Sequence, residues 1–114
     1  MIGVIFELEP KSTKKDAYFE MAGELKPILE TIEGFISIER FQSVTHPTRY
    51  LSLSFWEDEN AVKAWRNQSK HRWAQEQGRE TIFDNYRIRV VNVMRDYGMN
   101  EREQAPADSN SQFK

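Results

Sequence analysis

The chain has 114 residues, a formal net charge of -2 and no cysteine, which fits one domain with a modest core and excludes disulfides, thiolate metal sites and cysteine nucleophiles. Its 39% apolar and 30% charged composition is that of a globular chain, and 16 basic against 18 acidic residues give no long-range pull towards nucleic acid or an anionic membrane. No apolar stretch approaches the roughly 20 residues that span a bilayer, and the start MIGVIFELEPK lacks the regions of a signal peptide, so the cytoplasm is the expected compartment.

Ile2, Val4, Phe6 and Leu8 alternate with Gly3, Ile5 and Glu7, which predicts a first strand closed by Pro10. Thr13 with Asp16 resembles a short capping pair. Tyr18, Met21, Leu25, Ile28 and Ile32, widened by Leu29, form the apolar stripe of a helix running to about Thr31. Pro27 lies inside that stripe, and Gly34 supplies the left-handed position that ends a helix. The segment FISIERFQ predicts a second strand, with Phe35, Ser37, Glu39 and Phe41 on one face and Ile36, Ile38 and Arg40 on the other.

After a turn at Pro47, YLSLSFW is the clearest strand in the chain. Leu51, Leu53 and Phe55 are expected to meet the helices as a dry core. Tyr50, Ser52, Ser54 and Trp56 form a semi-polar face suited to a cavity wall or a second core. Asp58 is placed to cap the next helix, whose apolar side is Ala61, Ala64 and Trp65; Ser69 is a candidate restart, and the helix ends near Gly78 and Arg79. Residues 83–97 predict a long last strand, with Ile88, Val90 and Met94 beside Asn92 on one face and Arg87, Arg89, Val91, Val93 and Arg95 on the other. The polar run from Gly98 is expected to be disordered or an arm laid on a partner, so the division is a domain over 1–97 and a tail over 98–114.

The order β-α-β-β-α-β predicts an α+β, ferredoxin-like sandwich with a four-stranded antiparallel sheet covered by helices on one face. The other face still carries aromatic and aliphatic side chains, and such a face calls for a partner. The expectation is a homodimer in which two antiparallel sheets meet as a dimeric α/β barrel.

The segments EGFISIERF, RYLSLSFWEDENAVKAW and KHRWAQ resemble the antibiotic biosynthesis monooxygenase family of dimeric α/β-barrel proteins, over about residues 2–97. Gly34-Phe35 matches the family's entry into strand two, Trp56 the tryptophan ending strand three, Ala61 and Trp65 the "A…W" of the next helix, and His71 a histidine common further along. The resemblance implies a fold more than an activity. The family includes cofactor-free oxygenases of quinol-like substrates, haem-degrading enzymes and quinone-related proteins. Trp65 matches the pocket tryptophan of the haem degraders. Their iron-ligating histidine falls near Gln75 here rather than at His71, and their strand-one asparagine near Phe6 or Glu7. These departures rank haem degradation last.

The resemblance implies a site with His71 as base or anion partner, Trp56 and Trp65 as pocket walls, and Tyr50, Ser52 and Ser54 orienting a small aromatic substrate. Read from the residues alone, each has a plain alternative. His71 also suits a half-exposed helix position, the tryptophans suit packing, and the Tyr50–Ser54 row suits hydrogen bonding in a seam. His46 is expected to face solvent. Glu7, Glu39 and Arg40 suit a solvated or interfacial ion pair, and Arg87, Arg89 and Arg95 are interrupted by valines rather than forming a nucleic-acid stripe. Phosphate-loop, dinucleotide, zinc-protease and serine-hydrolase motifs are absent. No metal and no cofactor are expected, and neither nucleic acid nor membrane is an expected partner. Two functions stay open: a cofactor-independent monooxygenase using molecular oxygen on a phenol- or quinol-like substrate, and a non-catalytic dimeric ligand-binding or stress-related protein.

Overall fold

The computed structural model describes residues 1–77 and 82–112, with side chains through Lys70, at Arg72 and over 82–109. Along the chain the elements are β1 (Ile2–Pro10), α1 (Lys15–Leu29), β2 (Phe35–Gln42), β3 (Tyr50–Trp56), α2 (Glu59–Gln77), β4 (Phe83–Asn92) and α3 (Ala107–Gln112). The four strands form one antiparallel sheet in the order β2-β3-β1-β4. This is the ferredoxin-like arrangement that the element order predicts.

The expected dimeric α/β barrel is overturned. The sheet is open, with β2 and β4 as free edges. A closed barrel needs about eight strands to curl the sheet shut, and four strands twist without closing.

The register corrects a second expectation, which of the two β3 faces meets the helices. Trp56, Ser54, Ser52 and Tyr50 lie opposite Ile2, Val4, Phe6 and Leu8 of β1. That row faces α1 and α2: Trp56, Ser54 and Ser52 are buried with Val4 and Phe6. Leu51, Leu53 and Phe55, expected in the dry core, are only half-buried on the open side. The semi-polar face goes inside because its polarity is met locally, the Trp56 indole N–H donating to Ser54 Oγ at 2.9 Å. The small serines also let helices approach the sheet closely.

The core has two parts. One gathers Ile2, Val4, Leu25, Leu29, Trp56, Ala61, Val62 and Trp65. The other gathers Phe6, Leu8, Tyr18, Met21, Ala22, Ile82 and Phe83. In the second, Phe83 meets both Phe6 and Tyr18 edge-on at ring-centroid distances of 5.7 and 5.6 Å, an arrangement that adds to simple burial. Helix α1 supplies the spine of both, through Tyr18, Met21, Ala22, Leu25 and Leu29.

The helix ends differ from the sequence reading. Lys14 precedes α1 with no side-chain cap, so Thr13 does not serve there. Asp58 does cap α2, its carboxylate accepting from the Ala61 N–H at 2.9 Å. Helix α2 runs unbroken through Ser69 to Gln77, and its expected end at Gly78 and Arg79 lies outside the described residues. Strand β4 stops at Asn92, short of the expected residue 97. Beyond it the chain is tied to itself: Arg102 Nη1 donates to the Gly98 carbonyl at 3.2 Å and its guanidinium lies 5.1 Å from the Tyr97 ring centre.

Helix α1 contains a weak point. Pro27 lies within the helix and has no N–H, so the Gly23 carbonyl one turn earlier lacks its helical donor. Gly23 itself is exposed, and a methyl group there would meet nothing within 4 Å. Gly23→Ala is therefore expected to stabilise the protein by about 1 kcal/mol, through helix propensity and a less flexible unfolded chain. A rise in the urea midpoint at unchanged slope checks it.

Candidate functional site

Two concave regions stand out, one on each side of the sheet's polar geography. The first lies beneath the helices. Ile38 and Arg40 of β2 stand in register with Ser54 and Ser52 of β3, so the β2 residues that alternate with the exposed row turn towards α1. There the side chains of Arg40, Ser52, Trp65, Tyr18, Ala22, Leu25, Lys26, Leu29 and Ile38 enclose a void of about 30 Å³, room for one or two waters. The indole of Trp65 is buried at this wall.

Tyr18 is the perturbed acid of the site. Burial pushes its phenol up to about 12, while the charge and hydrogen bond of Arg40 pull it only partly back. Tyr18 is thus a neutral phenol at physiological pH, and the guanidinium beside it stays charged.

The second region is an open cleft of about 580 Å³ where the β2–β3 hairpin meets the ends of β1 and β4, lined by residues including Glu7, Glu9, Phe41, His46, Arg49, Tyr50, Tyr86 and Arg87. Its carboxylates are already engaged. Glu7 pairs with Arg89 at 2.8 Å, and Glu9 accepts from the Thr48 hydroxyl at 2.7 Å. Both members of the Glu7–Arg89 pair are half exposed, where such bridges contribute about 0–1 kcal/mol. His46 is exposed, as the sequence suggests, and bonds to Thr45 in its own turn at 3.0 Å.

The residues singled out in the sequence are dispersed over these settings. Trp65 and Ser52 share the void beneath α1. Trp56 is fully buried against Phe35, ring centres 5.3 Å apart and nearly perpendicular, and it occupies Ser54 through its indole N–H. Tyr50 stands at the other end of β3, edge-on to Phe19 at 4.9 Å, and reaches the open cleft. His71 is on α2, six residues beyond Trp65, and its side chain lies outside the described residues, as do those of Trp73 and Gln75.

Sequence reasoning missed Tyr18 and Arg40. Tyr18 reads as one more member of the α1 stripe and Arg40 as half of a surface ion pair. The signal for Arg40 was its alternation with Ile38, which puts a cation on the covered side of an edge strand. Among the described residues no group of three or more His, Asp or Glu side chains is arranged for a metal ion, and no helix is long and apolar enough to cross a membrane.

Residues 1–77 match the family described as "Antibiotic biosynthesis monooxygenase". A protein of Pyricularia oryzae described as "Jasmonate monooxygenase ABM" is 41% identical over 101 residues, which is 89% of this chain and 47% of that protein. The chain thus spans about half the length of that curated relative. Among solved structures, Rv0793 from Mycobacterium tuberculosis superposes with a TM-score of 0.72 at 13% identity, covering 85% of this chain and 98% of that one. The haem degrader MhuD of the same organism, with two haems in its active site, gives a TM-score of 0.64 at 17% identity, covering 86% of this chain and all of the other. Both structures share the fold.

Proposed function

This chain belongs to the antibiotic biosynthesis monooxygenase family, and we propose that it is a monooxygenase that oxidises a small, electron-rich organic molecule with molecular oxygen, at the void between α1, α2 and the sheet. The observation that carries this reading is the pairing in one wall of a flat apolar surface, Trp65, with a buried phenol and a guanidinium, Tyr18 and Arg40. Such a wall suits a molecule with an apolar body and an acidic proton. The relative named for jasmonate supports a small organic substrate.

In this reading His71 takes the proton from an acidic C–H or O–H of the substrate. The resulting anion is held by fixed positive charge in a site shielded from water and passes an electron to oxygen. One oxygen atom enters the product, for instance turning a CH₂ into a carbonyl, and the other leaves as water with the two hydrogens. Trp65 packs the substrate's apolar face and Ser52 orients it. Trp56, Ser54 and Tyr50 hold the sheet beneath and beside the site. The half-exposed Leu51, Leu53 and Phe55 of the open side are where we place self-association.

A haem does not fit this arrangement. Of the two β1 positions expected to match the haem degraders' asparagine, Phe6 is locked in the second core cluster against Phe83 and Glu7 is half exposed and paired with Arg89. Among the described residues no histidine or carboxylate lines the void, which favours one other reading, a site that binds its ligand without turning it over.

Oxygen uptake with a panel of quinols, anthrones and phenols separates the two. His71→Ala is expected to lower turnover about 100-fold or more with folding intact. Unchanged turnover removes His71 from the mechanism, and saturable binding of the panel without oxygen uptake selects the ligand-binding reading.

A further inference from the structure

Arg40 occupies a setting that a surface ion pair does not explain. It is half-buried on the covered side of an edge strand, opposite Ser52. Among the described residues no carboxylate comes within the 4.0 Å of a salt bridge to it, although the chain carries 18 acidic residues. Lys26 is the other charged residue of the same void, and among the described residues no carboxylate lines it. Lys26 is exposed and keeps its water, so Arg40, half-buried in a wall shared with Leu25, Leu29 and Trp65, is the cation without a carboxylate partner among the described residues. The neighbouring phenol does not compensate it either, since Tyr18 stays protonated. It does add a donor, since a phenol that stays protonated keeps its O–H.

We infer that this void is an anion subsite, in which Arg40 holds a carboxylate or equivalent oxyanion of the substrate and Tyr18 donates a second hydrogen bond to it. The inference rests on the pocket reading above and names the class of molecule that the pocket selects. A planar guanidinium meets a carboxylate through two parallel N–H···O bonds, which gives orientation as well as affinity. The size is that of a head group: about 30 Å³ takes a carboxylate and little more. The rest of the molecule lies towards Trp65 and the exposed Lys26 at the edge of the recess.

The test uses the full chain and matched pairs of probes: phenylacetate, 4-hydroxyphenylacetate and indole-3-acetate, each beside its methyl ester. Binding is read by isothermal titration calorimetry, with Trp65→Phe as the control for binding at this wall, and needs no turnover. The wild type is expected to bind each acid at least tenfold more tightly than its ester. Arg40→Gln is expected to erase that preference by weakening the acids alone, and Arg40→Lys to restore part of it. Tyr18→Phe is expected to weaken the acids several-fold. Thermal melts establish that each variant is folded. Equal binding of acids and esters by the wild type, or a preference that survives Arg40→Gln, overturns the anion subsite and leaves the pocket standing. Binding of neither class overturns the pocket and the subsite together.

Discussion

Trp56→Ala is expected to cost about 3–5 kcal/mol, close to the whole stability of a domain this small. The indole has no exposed surface, and it stands at the end of the sheet where three strands meet, with Ile2 on one side and Phe35 on the other. Its removal opens a cavity that Val4, Leu29 and Ala61 of the same cluster cannot fill without moving the strand and the two helices they stand on. It also takes the indole donor from Ser54 Oγ, 2.9 Å away in the core, where a lost partner costs about 1–3 kcal/mol. Trp56→Phe keeps one ring and loses the donor, so its loss should fall between the hydrogen-bond figure and that of the alanine variant. Urea unfolding of the pair measures both, and a loss below about 1 kcal/mol in the alanine variant would contradict this account of the core.

Gly34→Ala carries the second large effect, about 2–4 kcal/mol, from two causes that can be pulled apart. Gly34 has φ near +91° at the entry to β2, a region that costs side-chain-bearing residues about 1 kcal/mol or more. A Cβ there would also lie 2.9 Å from the Cβ of Ala61, at the start of α2. The position is fixed further by the Gly34 carbonyl, which accepts from the Glu57 N–H at 2.8 Å. Adding Ala61→Gly should recover the steric share and leave the backbone share, so a double-mutant cycle shows a favourable coupling. Additive losses would mean that the two Cβ atoms do not compete for the same space.

The Gly34–Ala61 contact explains why part of the fold was readable in the sequence. The "EGF" and "A…W" patterns lie far apart along the chain, yet they mark two backbones that approach within a methyl group of each other. The strands were legible because alternation with a period of two survives whatever lies on either side of the sheet. Which side is inner was not. Leu51, Leu53 and Phe55 are the more apolar row, so composition favoured them for the core. The choice fell to Ser52, Ser54 and Trp56 through an internal hydrogen bond and through the close approach that serines permit, neither of which periodicity records. Barrel closure was illegible for a different reason: it depends on strand number and curvature across the sheet, whereas a sequence pattern reports single strands. Of the residues lining the void, Trp65 and Ser52 are ones the sequence had singled out. Tyr18 and Arg40 were hidden because each satisfies a local rule, one as a stripe residue and the other as an alternating charge, while their meeting depends on how α1 lies across β2.

The two-part core has a consequence for the cohesion of the molecule. The void beneath α1 falls on the seam between the parts: Tyr18 and Ala22 belong to one, Leu25, Leu29 and Trp65 to the other. Among the described residues of the helix layer, α1 alone bridges that seam, and it does so along the stretch that Gly23 and Pro27 weaken. A substrate held there, as proposed, would touch both halves and act as a rivet between them. Its binding and the joining of the two halves would then be one process, which hydrogen exchange along α1 with and without ligand would read as added protection.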